Sequence, residues 1–392
     1  MMFEKIKKHI SSQNVRRNIA PVSVVFVLCV ILLFIPTNYE QDLYINTERV
    51  KAHVLSVNND GLKSAGIIQF GEQRCEVKIL EGKFKGQTTT GINHLSGSLE
   101  KDKIFEENDR ALVVIDYENN EIIFTNMIDH YRMNYEIILV LVFAAALIGF
   151  AGIIGFKALL SFIFTVLCMW KILIPYFLSG ANPIILGAIM VAVLTAVVIG
   201  LVYGFDRRAA SAISGAVSGS FVTCVTAVIF VNLFKIHGAV MPYSESLLYS
   251  GYPDLNLTQI FIAGIFIASS GAVMDLSVDI TSAVYEIAQK RPDISRLELI
   301  KSGLAIGRTV VGTMTTTLLL AYSGSYIALL MVFMAQGTPL INILNLKYVS
   351  AEILHTVVGS LGLVTVAPLT AVMSGTLLAK NKSKTKAIKQ QD

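Results

Sequence analysis

The apolar residues of this chain come in repeated runs of about 20, the length that crosses the hydrocarbon layer of a bilayer as a helix. The runs lie near 19–36, 136–154, 158–178, 181–203, 209–234, 257–274, 303–321, 326–345 and 355–379. Only 15% of the 392 residues are charged and 54% are hydrophobic, whereas a soluble domain carries about a quarter charged residues. The sequence therefore predicts a polytopic α-helical membrane protein whose solvent is the lipid bilayer.

Charge orders these runs. The net charge is +4, and the excess bases sit in MMFEKIKKHISSQNVRR and KNKSKTKAIK, each beside an apolar run. That is the pattern of cytoplasmic anchoring beside anionic lipid rather than of nucleic-acid binding. Residues 1–18 read as a basic cytoplasmic N-terminus, 380–392 as a basic cytoplasmic tail, and 19–36 as a signal-anchor helix. The anchor is expected to stay uncleaved, because PTNYEQD follows it instead of a small-residue cleavage site. It delivers residues 37–133 to the extracytoplasmic side.

That segment is β-rich. RVKAHVLSVN, GIIQF, RCEVKIL, ALVVID and EIIFTN carry β-branched runs, several of them alternating, with turn signals between them at 58–61, 81–86 and 118–120. Five or six short strands predict a small extracytoplasmic barrel, OB-like in size. Acids and bases are mixed along it and no aromatic row stands out, so it is expected to contact an envelope protein rather than nucleic acid. Cys29, Cys75, Cys168 and Cys224 offer no intradomain disulfide and no metal-ligand spacing, and no metal or other cofactor is expected.

The helical bundle, 136–379, has seven or eight spans. Loops 204–208 and 288–301 carry bases and read as cytoplasmic, while 235–256 reads as external. Nine full crossings would put the lysine-rich tail outside, against the orientation bias. One segment is therefore expected not to cross fully. Its place is 303–345, where AYSGSY and QGTP interrupt the apolar pattern.

Within the bundle, Asp275, Asp279, Ser282 and Glu286 share one helical face, with Ala268, Gly271 and Ala272 above them. Two readings stand. The acids form a proton or cation site on a closely packed helix, since carboxylates one turn apart do not readily ionise together. Or the helix leaves the membrane near Met274 and its acids simply face water. Arg308 is a candidate counter-charge, unless it snorkels to the headgroups. Ser282, Thr309, Thr313, Thr315, Thr316 and Thr317 are candidates to line a path, although threonines in lipid often bond only to their own helix. Glu352 and His355, at the mouth of the last span, are secondary candidates for a proton path. Gly215 and Gly219 have the spacing of a close helix contact, and Lys171 beside Trp170 is expected to reach an interface. There is no GxSxG, HExxH, Walker loop or Cys-x-x-Cys, so neither enzymatic chemistry nor ATP-driven pumping is expected.

VKILEGKFKGQ, GAVMDLSVDITSAVYEI, GRTVVGTMTTTLLLAYSG and VVGSLGLVTVAPLTA resemble the YibE/F family of bacterial membrane proteins over most of the length. The resemblance implies a multi-pass protein of the cytoplasmic membrane and carries no biochemical activity with it. Locally, the segment from Gly271 through Glu286 to Thr315–Leu318 also resembles SecD/SecF and RND-type exporters, which use membrane aspartates for proton coupling. The expected role is that of an ion-coupled transporter or export-related permease for a small solute or ion. Its site would lie between 257–290 and 303–321. The competing expectation is a non-transporting scaffold whose ectodomain, 37–133, binds an envelope or secretion partner.

Overall fold

The computed structural model describes residues 13–37, 39, 46–204 and 206–379. Most of the basic N-terminus and the whole basic tail lie outside these. The chain divides into two compact units, one holding residues 1–37 and 150–392, the other 38–149.

In the second unit, strands β1 (Thr47–Asn58), β2 (Leu62–Ala65), β3 (Ile68–Ile79), β4 (Thr88–Ser96), β5 (Arg110–Glu118) and β6 (Glu121–His130) form one sheet in the order β1-β5-β6-β4-β3-β2. The first half of β1 pairs with β5 and its second half with β3, which closes five strands into a barrel. A register shift between Val54 and Ser56 bends β1 enough to serve both neighbours. β2 stays outside as the return arm of a hairpin with β3. The expected small barrel is thus present. Inward positions alternate along each strand, as the sequence pattern requires. They place Val50, Ala52, Val54, Cys75, Val77, Ile79, Val113, Ile115 and Met127 in a dry core. Phe105 plugs one end of it, pinned by the buried amide of Gln73 through its own N–H (3.0 Å) and its carbonyl (2.8 Å). β6 leads into helix α2 (Met133–Ala151).

In the first unit, α1 (Gln13–Phe34) packs on α3 (Ile153–Leu178) and α4 (Pro183–Tyr203). α3 contains a π-helical turn at Met169–Leu173, and there Lys171 Nζ donates to the Ile35 carbonyl (3.0 Å) at the end of α1. Lys171, expected to reach an interface beside Trp170, is held at the end of α1. α5 (Arg207–Leu233), α7 (Leu257–Lys290), α8 (Arg296–Ser323) and α11 (Lys347–Leu378) build the centre, with the short α6 (Ser244–Tyr249) between α5 and α7. Among the described residues, seven helices, namely α2, α3, α4, α5, α7, α8 and α11, are long and apolar enough to cross a membrane. The run expected near 326–345 is not one of them. It breaks into α9 (Ile327–Ala335) and α10 (Leu340–Asn345), separated by Gln336–Pro339. Nine helical residues reach only about 13 Å, less than half a bilayer core.

The central helices meet through small residues. A Cβ on Gly215 would lie 2.2 Å from Thr370 Oγ1, and one on Gly219 would lie 2.6 Å from Val366 Cβ. Gly362 faces Thr223, and Gly375 faces Ile300, equally closely. The close contact expected at Gly215 and Gly219 is therefore formed, by α5 against α7 and α11. Gly271, by contrast, faces open space.

Two outcomes follow. Gly215→Ala should lower stability by about 1–3 kcal/mol through overpacking, read as a lower melting temperature in detergent, while Gly271→Ala stays close to wild type. Burial pushes the Cys75 thiol up to about 11, with Asp109 adding to the effect. Maleimide labelling of Cys75 at neutral pH should therefore be slow until the barrel is unfolded by denaturant.

Candidate functional site

The acidic face of α7 points away from the bundle. Asp275, Asp279, Ser282 and Glu286 are all exposed, while Val273, Leu276, Ile280 and Val284 on other faces are fully buried. Ala268 and Gly271 are exposed as well. The helix expected to pack closely above the acids is not there among the described residues. Close approach occurs on the other side, where Gly303 meets Val284 and Gly307 meets Ile280.

The neighbours of the acids are those of a helix end. The Tyr203 hydroxyl, at the C-terminus of α4, donates to the Val278 carbonyl (2.7 Å) and meets Ser282 Oγ at 2.5 Å. Arg208 stacks on Tyr203 and Tyr285, with ring centroids at 5.2 and 4.6 Å, and pairs with Asp206 at 2.8 Å. Burial opposes ionisation of Asp206, but Arg208 and the backbone N–H groups of Arg208 and Ala209 outweigh it and hold the carboxyl below its usual range. Glu286 pairs with Lys290 at 2.8 Å on its own helix. Residues 278–285 thus stand level with the loop between α4 and α5. Counted from Leu257 at about 1.5 Å per residue, Asp275 is about 27 Å along α7, where a hydrocarbon layer of about 30 Å is nearly used up. Asp275, Asp279 and Glu286 thus lie in the second half of a long helix that continues to Lys290.

Arg308 is exposed and forms no ion pair with Asp275, Asp279 or Glu286 among the described residues. Arg208, not Arg308, is the arginine beside the polar stripe. Thr309, Thr313, Thr316 and Thr317 are exposed and Thr315 is half-buried. Four of the five hydroxyls bond within α8: Thr309 to Ala305, Thr313 to Val310, Thr315 to Val311 and Thr317 to Thr313. α8 meets α7 and α11 through Gly303 and Gly307, so the threonines line no path between these helices.

The polar residues that are inside the centre come from three separate helices. Ser211 and Ser374 hydroxyls are 2.8 Å apart, Thr281 and Ser374 3.0 Å, and Ser277 and Thr370 3.0 Å. Ser277 also donates to the Ala212 carbonyl (2.7 Å). All five side chains are fully buried. They tie α5, α7 and α11 together and, being mutually satisfied, act as interhelical glue.

Glu352 and His355 are placed differently. They stand one turn apart near the start of α11, which begins at Lys347, well before the expected start of the last span. Both border a cavity of about 210 Å³. Its other walls come from the turn after α5 (Val240, Met241, Pro242), from α7 (Phe261, Gly264, Ile265) and from Tyr326 after α8. The Tyr322 ring stacks on His355, with centroids 4.4 Å apart and planes at 26°. Glu352 Oε1 and His355 Nε2 are buried and have no hydrogen-bond partner among the described residues. Leaving such a group unsatisfied costs roughly 1–3 kcal/mol. Of the candidates named from sequence, these two are brought together with a space beside them. No group of three His, Cys, Asp or Glu side chains suited to a metal occurs among the described residues.

Both parts of the chain match family models. Residues 139–380 match the YibE/F-like protein model and residues 42–131 match that of the YibE/F family N-terminal domain. The chain belongs to the YibE/F family. The N-terminal match covers the barrel from just before β1 to just after β6, and the longer match runs from within α2 to just past α11. No curated protein and no solved structure matches the chain.

The placement of the polar stripe has a direct test. In detergent-solubilised protein, Ser282→Cys should react readily with a maleimide, whereas Ser277→Cys, five residues earlier but in the packed centre, should resist it while the protein is folded.

Proposed function

We propose that this membrane protein is an ion-coupled permease and that Glu352 and His355, rather than Asp275 and Asp279, handle the coupling proton. The observation that carries the reading is the pair of buried, unsatisfied atoms, Glu352 Oε1 and His355 Nε2, beside a cavity. An ionisable group within a membrane helix bundle is costly, and proton relays are a principal use of one. A carboxylate and an imidazole on one cavity wall can each take up and release a proton, and the Tyr322 ring stacks on the imidazole.

The helix count supports an orientation for this site. The seven long helices and the anchor α1 make eight crossings, and an even number returns the basic tail to the side of the basic N-terminus, as the bias of lysine and arginine requires. The loops bearing Arg207, Arg208 and Arg291 then fall on the cytoplasmic side. The barrel, the turn at 238–242 and α9–α10 fall outside, so the cavity opens outward. A small solute or ion entering from that side meets the Glu352–His355 pair first. We assign the protein no enzymatic step. The scaffold alternative gives no role to unsatisfied ionisable groups beside a cavity.

Purified protein in liposomes, screened with small solutes and metal ions under an imposed proton gradient, tests the reading. Flux should fall to background in Glu352→Gln and His355→Gln. It should persist in Asp275→Asn and Asp279→Asn. Wild-type flux in Glu352→Gln, or loss confined to the aspartate variants, would move the site elsewhere.

A further inference from the structure

The barrel exposes a cluster of apolar side chains on its loops. Ile67 is 81% exposed, Leu99 66% and Ile104 43%. Exposed apolar residues also occur on the strands. These three differ in lying on the β2–β3 turn and the β4–β5 loop and in lining a single shallow notch together. Phe70, half-exposed at the base of the hairpin, continues the patch.

The strand pairing fixes where this patch points. β4 and β6 run parallel, with Ile92 opposite Asn126. Advancing equally along both strands brings Ser96 level with His130. Ser96 pairs with Phe70 of β3, so the β2–β3 turn and the β4–β5 loop stand at the end of the barrel where β6 finishes. α2 starts at Met133, and its first turn is tied to that end. The Tyr131 N–H donates to the Arg110 carbonyl (2.7 Å), and the Asn134 side-chain amide lies 3.2 Å from both Arg110 Nη1 and Lys51 Nζ. In the sheet, β3 lies two strands from β6, about 10 Å sideways. A candidate membrane helix thus leaves the barrel beside the apolar tips and from the same end.

The tips are also held in place. Asn93, fully buried, donates to the Lys103 carbonyl (2.6 Å), and Gln73 grips Phe105. Asp102 accepts from the N–H groups of Gly97 (2.6 Å) and Ser98 (2.9 Å), and these bonds, led by the Ser96 contacts, hold its carboxyl below the usual range. A loop pinned this firmly presents Leu99 and Ile104 outward by construction.

We infer that this end of the barrel rests on the leaflet that α2 enters, with Ile67, Leu99 and Ile104 dipping into the boundary between headgroups and acyl chains. The drive is apolar burial. Glu100, Glu106 and Glu107 accompany Lys63, Lys101 and Lys103 around the rim, so attraction to anionic lipid contributes little. The docking holds the barrel end down around the point where α2 enters the bilayer.

The test uses the full-length protein in vesicles, with an environment-sensitive fluorophore at Ile67→Cys, Leu99→Cys or, at the opposite end of the barrel, Glu121→Cys. Lipids carrying a nitroxide near the headgroup should quench labels 67 and 99 several-fold more than label 121. The quenching should be equal in neutral vesicles and in vesicles containing phosphatidylglycerol. Equal quenching at all three positions, or none at 67 and 99, would overturn the docking. Shielding of 67 and 99 from aqueous iodide without lipid quenching would assign the patch to a protein partner instead. Quenching that requires phosphatidylglycerol would overturn the apolar drive.

Discussion

Helices already in lipid gain nothing by hiding apolar surface from one another, because lipid tails are as apolar as leucine. Association must come from close backbone approach and from hydrogen bonds that cross between helices. The centre of this bundle is built on both. Gly215 and Gly219 let α5 sink against α7 and α11, and Gly303 and Gly307 do the same for α8. Ser211, Ser277, Thr281, Thr370 and Ser374 then bond across the gap that the glycines close. Everything else hangs on that contact. It sets which face of α7 is inside, and so leaves Asp275 and Asp279 outside. It also brings the start of α11 against α7 and the turn after α5, where the Glu352–His355 cavity forms.

Much of the architecture was legible in the sequence because it follows from length, alternation and charge. Alternating β-branched runs and turn residues marked the barrel strands. Counting crossings against the distribution of lysine and arginine required one segment in 303–345 to fall short. In that stretch the chain is broken at Gln336–Pro339 into two short helices. The glycine spacing of α5 identified a real contact.

The direction of helix faces was not legible, for a physical reason. In water, the polar stripe of a helix points outward and the apolar one inward. In a membrane both lipid and protein core are apolar, so the stripe Asp275–Glu286 had a clear axis and no sign. The packing of the bundle sets the sign, turning the stripe to the exposed side of α7 beside Tyr203 and Arg208. The buried hydroxyls escaped notice for the opposite reason. Each helix contributes only one or two, and a cluster assembled from three separate segments shows itself only once the helices are packed. Glu352 and His355 were visible as residues but looked interfacial, because the last helix begins at Lys347, two turns earlier than its apolar run suggests.

The π-helical turn at Met169–Leu173 has a further consequence for α3. Such a turn holds one residue more than a regular helix would over the same rise. The side chains of 174–178 are therefore rotated by about 100° relative to those of 153–168 compared with an uninterrupted helix. One strip of α3 faces α1 and α4 before the bulge, where Leu160, Phe164 and Cys168 are buried, and a different strip takes over after it. Lys171 lies at the crossover, reaching the last carbonyls of α1. A helix of this kind works as a spliced shaft, and the lysine at the splice ties it to the end of α1. Removing a single residue there would leave every apolar run intact by composition and yet turn half of the helix out of its seat.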